Sequence, residues 1–532
     1  MEYGYRTHDV TNQPPPIGNV NLFLSDPLMV DLLRHSEASW CLKKAESFGA
    51  VMGAEETAKH VQLADLNRPE LQSHDRYGHR IDEVLFHPSW HHLMSLGVAH
   101  GLHNGAWTFE GCGAHQARAT LFYLFNQAEN GAACPLSMTH ASFPTLRHSP
   151  SLLEQWVSGL KSNEYDGRFI DATKKRGLLV GMAMTEKQGG SDVRRNTTKA
   201  KKHGEAYLLT GHKWFCSAPM CDGFLTLAYI GDDLTCFLVP RWTPGGDRNR
   251  IHIQRLKDKL GNRSNASSEI EYHQAWAQIV GDPGRGISTI LEMVAHTRLD
   301  CVLGSVGIMR AALNAAIHHC KHRQAFGRRL IEQPVMRQVL ADLILEWRAA
   351  LVFAWELAVL YDKDTEKEMS RLLTAVAKFW ICKRTPMFVA EALECVGGSG
   401  YVAEFETARL FRESPLNAIW EGSGNVIAID IQRTLTKFPH LIDRLIDDLN
   451  QWGKAPEQIG TLRAHYDGLA EDPILLRHFS QNLAVLIQAM LLDRRGDVAA
   501  DDFLSNRVVH QPGLFGAGQL KSTDMLLQTS FG

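Results

Sequence analysis

The chain has 532 residues, of which 44% are hydrophobic and 22% are charged, and its formal net charge is −3. A chain of this length exceeds what one hydrophobic core serves, so several domains are predicted. The near-neutral charge balance gives no global sign of a nucleic-acid-binding or membrane-binding protein. The sequence shows no uninterrupted run of about 18 apolar residues, so we predict no membrane-spanning segment.

The ten cysteines are scattered and contain no C-x-x-C pair. This pattern predicts reduced thiols in a cytoplasmic protein, and the polar, turn-rich start of the chain predicts no secretory signal. Among the 25 histidines, the densest group is His91, His92, His100 and His103. No carboxylate joins them at ligand spacing, so we interpret them as structural and predict no metal site.

Four domains are predicted in chain order, giving an α+β multidomain fold. Residues 1–180 carry apolar residues at three-to-four spacing and predict a helical domain. Residues 181–285 contain short, turn-bounded, β-rich stretches, which indicate a small sheet or barrel. Residues 286–440 hold three long apolar-striped helices, typical of a bundle, and residues 441–532 predict a further helical domain that ends in a glycine-rich stretch.

Two stretches suggest a ligand at the edge of the β domain. In GMAMTEKQGGSD, Gly189, Gly190 and Ser191 are typical of a backbone nest for an anion, although a plain turn between strands explains them equally. In GHKWFCSAP, Trp214 suits the wall of a planar cofactor, and the alternative is an ordinary core tryptophan. The chain has neither a G-x-G-x-x-G Rossmann pattern after a strand nor a P-loop.

A lone acid stands in NAIWEGSGN, where Glu421 lies between Trp420 and a run of small residues. One interpretation is a helix start, in which the small polar residues leave backbone N–H groups free and the acid suits the helix dipole. Read as a reactive group, a carboxylate against Trp420 has a raised pKa and suits a general base. The stretch alone leaves both interpretations open.

Five motifs in order make the chain resemble the acyl-CoA dehydrogenase superfamily of flavoproteins. They occupy residues 184–192, 211–214, 323–327, 397–401 and 421–423. The wider wording, with THDVTNQPPP and RLKDKLGNRSNAS, resembles its AidB branch, flavoproteins of the adaptive response to alkylation damage. The resemblance implies an acyl-CoA dehydrogenase-like fold with N-terminal helical, central β-barrel and C-terminal bundle domains, FAD between the last two, and a homotetramer.

The resemblance also implies roles for individual residues. Arg323 would meet the FAD pyrophosphate of a neighbouring subunit, a contact suited to guanidinium, and Ser423 and Asn425 would bind the adenosine side. Cys216 stands where a hydroxyl usually lies near flavin N5, and Glu394 and Pro334, the latter beside Gln333, replace family glutamines. The implied cofactor-binding set is Met182, Met184, Thr185, Gly190, Ser191, Trp214, Cys216, Arg323, Phe326, Gln333, Glu394, Gly397, Gly398, Ser423 and Asn425.

For the reaction, the resemblance implies α-proton removal from an acyl-CoA and β-hydride transfer to flavin N5. Other branches place the base before an arginine that matches Arg298, but here that residue is Thr297, so Glu421 is the predicted catalytic base. Arg298, Trp420 and Ser191 would line the substrate pocket. The bulk of Trp420 predicts slow turnover or a restriction to short branched acyl groups.

The last domain raises an alternative function. The AidB branch binds double-stranded DNA through this region, so the resemblance implies Arg433, Lys437, Arg494 and Arg495 as DNA contacts. From residue 433 to 532 the chain has ten Lys+Arg and twelve Asp+Glu, a net charge of −2, whereas phosphate binding needs clustered positive charge. The alternative is a DNA-binding protective protein in which FAD is mainly structural; a solvated helical surface explains the same residues.

Overall fold

The computed structural model describes residues 7–510 and 513–531. Its N-terminal region is mainly helical, and its long helices α6 and α7 are buried along almost their whole length. The helices are α1 (Pro27–Arg34), α2 (Leu42–Met52), α3 (Glu55–Leu66), α4 (Pro88–Ala99), α5 (Gly105–Thr108), α6 (Ala114–Ala128), α7 (Ala133–Leu146) and α8 (Pro150–Leu160).

A hairpin interrupts this helical region, where the sequence predicted helices only. Strands β1 (Glu70–His74) and β2 (Arg80–Leu85) pair antiparallel. The hairpin reaches the β domain: Arg241 and Arg248 donate to the carbonyl oxygens of Asp82 and Ile81, and the Asp82 carboxylate accepts from Ile253 N at 3.1 Å. Alternation over so few residues is too weak a signal to separate from a loop.

The β domain is a sheet that closes into a barrel. Around the barrel, each strand pairs with the next in the spatial order β4, β5, β9, β7, β6. Strand β3 pairs with β6 in parallel, and β8 pairs with β9. The strands are β3 (Val180–Ala183), β4 (Lys199–His203), β5 (Ala206–Ser217), β6 (Gly223–Ile230), β7 (Asp233–Pro240), β8 (Ile251–Leu256) and β9 (Ser267–Val280). Strand β5 carries a register shift between Lys213 and Cys216.

The helix bundle surrounds one long central helix. Helix α9 is apolar enough to cross a membrane by length and composition, but 83% of its most apolar window is buried inside the protein, as in a core helix. A short hairpin follows it, whose strands β10 (Gln324–Ala325) and β11 (Arg328–Arg329) have two residues each. The helices are α9 (Gly286–His322), α10 (Pro334–Tyr361), α11 (Lys367–Val396), α12 (Glu406–Glu413) and α13 (Gly424–Lys437).

The C-terminal region packs directly on the bundle. Its helix α16 contacts α10, α11 and α13, and α18 lies along α10. Buried Arg507 joins the two regions, because its guanidinium bonds Asp342 and Glu346 of α10. The helices are α14 (His440–Trp452), α15 (Pro456–Gly468), α16 (Leu475–Arg494), α17 (Ala500–Phe503) and α18 (Thr523–Phe531). A core is thus shared across the predicted boundary at residue 440.

Candidate active site

Two cationic side chains fix the backbone of the loop that precedes α13. Lys378 Nζ, buried on α11, donates to the carbonyl oxygens of Asn417 at 3.1 Å and Gly422 at 2.9 Å. Arg298 Nε donates to the carbonyl oxygen of Glu421 at 3.0 Å, and its Nη1 pairs with Asp430. The backbone of the acid is therefore fixed while its side chain remains available.

The Glu421 carboxyl is the least satisfied acid of this site. Its Oε2 is buried without a hydrogen-bond partner, and its backbone has φ +59°, a conformation that non-glycine residues rarely adopt. Burial raises the pKa of Glu421, opposed by the neighbouring Thr297 hydroxyl, Lys378 and Arg298. Backbone strain and an unpaired acid together are typical of functional positions.

Trp420 lies at the seam between the two large apolar clusters and packs against both. Its indole Nε1 donates to Asn417 Oδ1 at 2.9 Å, which fixes the orientation of the ring. Asn417 in turn donates to Ser305 Oγ at 3.2 Å on α9. The ring next to Glu421 is thus anchored to the bundle, and its role as the wall of a substrate pocket stays a prediction.

Cys216 is the residue that the family resemblance implies near flavin N5. This thiol is wholly buried in the barrel core, and burial raises its pKa to about 12. The register shift on β5 turns the next side chain, half-buried Ser217, toward Cys134. The Cys134 thiol also feels the charge of Glu421 and lies against Asn265, whose amide atoms are buried without partners. Sequence analysis missed Ser217, Asn265 and Lys378.

The segment after β3 forms a rigid frame around Glu186. This buried carboxylate accepts from Thr198 Oγ1 at 2.6 Å and from Lys213 Nζ at 2.8 Å, and these contacts hold the pKa of Glu186 at about 2 although burial opposes them. The carbonyl oxygen of Thr185 accepts from Trp214 N at 2.7 Å. Met182, Met184 and Thr185 are half-buried at the end of this frame.

Three more predicted cofactor residues lie along the same edge. Gly190 and Ser191 are exposed. The half-buried Trp214 ring is covered by Lys257 Nζ at 3.1 Å from its centroid, a cation–π contact. A cation over an aromatic ring beside an exposed glycine turn suits an anionic or planar ligand.

A second group of predicted cofactor residues lies at the ends of α9 and α11. Arg323 Nη1 donates to the carbonyl oxygen of Asn12 at 2.6 Å, and Gln333 Nε2 donates to that of Ala325 at 3.0 Å. Phe326, at the tip of the β10–β11 hairpin, is 99% exposed. Glu394, Gly397 and Gly398 are exposed too, and a Cβ added at either glycine would meet no atom within 4 Å.

The residues that begin α13 are only partly free for a ligand. Ser423 is exposed and makes no side-chain cap hydrogen bond to the helix. Asn425 Oδ1 instead accepts from Arg477 Nη1 on α16. A cofactor contact from Asn425 would have to use its amide nitrogen or displace Arg477.

Most arginines of the C-terminal region are engaged within the chain. Arg495 pairs with Asp31 at 3.0 Å, and Arg494 donates to the carbonyl oxygen of Asp448 at 3.3 Å. Arg433 and Lys437 are exposed on α13. Arg507 is buried and is thus excluded from any surface patch.

Comparisons with known proteins decide the family. The description "Adaptive response protein AidB N-terminal domain" matches residues 12–167, "Acyl-CoA dehydrogenase, middle domain" matches 181–275, and "Acyl-CoA dehydrogenase, C-terminal domain" matches 284–436. The chain is 41% identical to the AidB protein of Escherichia coli (strain K12), covering 94% of this chain and 97% of that protein. The chain belongs to the acyl-CoA dehydrogenase family, in its AidB branch. The predicted family and fold are confirmed.

More distant members support the same fold for this AidB-like protein. Acyl-CoA dehydrogenase family member 11 of Caenorhabditis elegans is 28% identical, covering 78% of this chain and 71% of that protein. The solved structure of Caenorhabditis elegans ACDH-11 in complex with C11-CoA superposes with a TM-score of 0.83 at 24% identity, covering 100% and 94%. Butyryl-CoA dehydrogenase from Megasphaera elsdenii gives 0.61 at 21% identity, covering 77% and 98%.

FAD is the cofactor of this family, and the residues present fit it. Polar atoms that are buried without partners, on Glu421 and Asn265, lie near the barrel–bundle seam. At the C-terminal end of α11, Gly397 and Gly398 leave open space for a ligand to approach the backbone. Unpartnered polar atoms at the seam and open backbone at two glycines of the predicted set are therefore what fits a bound FAD.

Proposed function

We propose that this AidB-like flavoprotein oxidises short branched acyl-CoA thioesters and that Glu421 removes the α-proton. The observation that carries the proposal is the Glu421 carboxyl, buried at Oε2 without a partner on a loop fixed by Lys378 and Arg298. Burial disfavours the charged form of a carboxyl, so its basicity rises toward that needed for proton abstraction near neutral pH.

Each neighbour has a part in this proposal. FAD, when bound, supplies the acceptor for the β-hydride. Glu421 holds the α-proton after its transfer, and Lys378 and Arg298 hold the loop carbonyls so that the carboxylate keeps its position. Trp420, anchored through Asn417, limits the width available to the acyl group, which favours short chains.

Anaerobic mixing with isovaleryl-CoA, butyryl-CoA and octanoyl-CoA tests the proposal. We expect the visible flavin band to bleach most with the short branched thioester. Absence of bleaching with every acyl-CoA would overturn the enzyme proposal and favour a flavin that is mainly structural.

The rival proposal is a double-stranded-DNA-binding protein that acts in the response to alkylation. Its support is the likeness to AidB and the exposure of Arg433 and Lys437. Two observations argue against a tight DNA site: Arg495 is engaged in an ion pair within the chain, and Arg507 is buried. We therefore propose weak, sequence-independent duplex binding. A role in the alkylation response is proposed on the likeness alone, and unchanged survival of a deletion strain under a methylating agent would refute it.

We further propose a homotetramer in which a neighbouring subunit covers the β10–β11 hairpin. Phe326 is 99% exposed with φ +51°, and Val335 and Tyr401 are 78% and 82% exposed. Large exposed apolar side chains mark interaction surfaces. Phe326→Ser should lower the mass measured by light scattering and the retained FAD, whereas Tyr77→Ser, an exposed aromatic on the β1–β2 hairpin, should change neither. An unchanged tetramer in Phe326→Ser would contradict this assembly.

A further inference from the structure

Three histidines from three helices meet where α6 and α7 of the N-terminal region pack against α9 of the bundle. His115 lies in the first turn of α6, His140 in the middle of α7 and His296 in α9. One ring nitrogen from each lies within 4.8 Å of the others. The ring centroids are separated by 5.3 Å, 5.6 Å and 6.0 Å.

Three ring nitrogens of this cluster are buried without hydrogen-bond partners. His140 has no exposed surface, and neither its Nδ1 nor its Nε2 makes a hydrogen bond; His296 Nδ1 is also buried without one. A buried imidazole nitrogen without a partner is costly and rare in folded proteins. His91, His100 and His103, by contrast, each make one ring hydrogen bond, to Tyr165, Leu96 and Ser162, whereas both ring nitrogens of His140 lack a partner.

We propose that His115, His140 and His296 bind one divalent transition-metal ion of the zinc class. Zinc binds imidazole nitrogen at about 2.0–2.1 Å in tetrahedral geometry, which requires each nitrogen to move inward by no more than about 1 Å. Three imidazoles leave the fourth position to a water molecule. The ion would cross-link α6, α7 and α9.

The surroundings suit a neutral-imidazole site. Trp107 stacks on His140 at 5.2 Å between centroids, and Tyr361 lies 5.0 Å from His296, so aromatic rings enclose the cluster. Burial lowers the pKa of His115, His140 and His296 well below the ordinary value of histidine. The rings are therefore in the neutral form that binds metal.

The charged groups near the cluster partly balance one another. Arg118 is neutralised by a two-bond pair with Asp300 at 2.5 and 2.8 Å. The Asp362 carboxylate accepts from His115 N at 2.8 Å and contributes negative charge, while Arg147 lies over the Trp107 ring at 4.8 Å. The cation would thus share its environment with two carboxylates and two guanidinium groups.

The site lies beside the reaction site. His296 directly precedes Thr297, the residue whose hydroxyl neighbours Glu421. An ion here would fix this part of α9 without contacting the flavin. The proposal does not depend on the substrate of the enzyme or on DNA binding.

The test compares zinc retention by the FAD-loaded protein and two double variants. His140→Gln with His296→Gln removes two ligands. His252→Gln with His273→Gln is the matched control, since that pair stacks at 4.2 Å on the barrel surface. After desalting, we expect one zinc ion per chain in wild type and control, measured by mass spectrometry, and none in the cluster variant.

A second measurement covers a cluster variant that fails to retain FAD. His115→Gln removes a single ligand, the one in the first turn of α6. It should weaken zinc binding by more than the roughly 100-fold lost when the hydrogen-bond partner of a metal ligand is removed. Cobalt added to chelator-treated wild type should give tetrahedral visible bands that zinc removes. Wild type without stoichiometric metal, or zinc binding unchanged in His115→Gln, would overturn the proposal and leave the cluster as packed imidazoles.

Discussion

Replacing Glu421 with glutamine removes the proposed base while keeping the side-chain length and the backbone conformation at φ +59°. A positioned base contributes ~10²–10⁴-fold to the rate. We expect a loss in the upper half of that range, because the charged groups nearest the carboxyl are the cations Lys378 and Arg298 and the hydroxyl of Thr297 cannot replace a base. At about 1.36 kcal/mol per tenfold, the range corresponds to roughly 3–5 kcal/mol of barrier.

The assay is stopped-flow reduction of the flavin by isovaleryl-CoA without oxygen. Glu404→Gln makes the same chemical change at an exposed position and serves as the control. In wild type the rate should rise with pH through a pKa above that of ordinary glutamate, because burial raises the pKa of Glu421. This rise should vanish in Glu421→Gln. A rate within twofold of the control would refute the argument.

Stability gives an independent check on the same carboxyl. A carboxyl whose pKa is raised in the folded state binds its proton more tightly there than in the unfolded chain. Its contribution is therefore complete below the unfolded pKa and is lost as pH rises through the folded pKa. Glu421→Gln should accordingly unfold at higher denaturant concentration than wild type at neutral pH. A less stable variant at that pH would show that Glu421 is held by a favourable ion pair.

Three further predictions follow from other contacts. Lys378→Met should lower the free energy of unfolding, measured in urea, by roughly 1.5–3 kcal/mol, because two loop carbonyls lose a charged donor. It should also slow flavin reduction. An unchanged rate would mean that the loop keeps its conformation without Lys378. Arg507→Met should cost about 3–5 kcal/mol by leaving buried carboxylates unpaired, and a smaller cost would place Arg507 nearer the surface. Replacing Arg433, Arg494 and Arg495 by alanine should flatten the salt dependence of duplex binding, whose log–log slope is about −0.9 per phosphate contacted, with the flavin spectrum unchanged; salt-independent binding would contradict a phosphate-contact surface.

The order of domains and the loop that carries Glu421 were predictable because their signals are local. Glu421, its small neighbours and the Thr297 substitution are visible in the sequence. The face of β5 was not predictable, because a register shift moves every following side chain to the other side of a sheet. That shift buries Cys216 and presents Ser217.

Long-range contacts account for the other misses. Lys378 reaches a loop about 40 positions later in the chain, and His296 meets its histidine partners from a different domain. Neither pairing leaves a periodic trace in the sequence. The burial of Arg507 was not predictable, because its partners, Asp342 and Glu346, lie far away in the chain on α10.

The β1–β2 hairpin has a consequence for how the molecule opens. Its carbonyl groups are the acceptors for Arg241 and Arg248 of the barrel, and Arg80 donates back to the carbonyl of Ile253 at 2.8 Å. Separating the helical region from the barrel would break all of these bonds at once, so the two should exchange amide hydrogens as one cooperative unit. Ligand entry must then rely on motion of the Trp420 loop or of the glycine turn near Ser191, which are the segments where faster exchange is expected.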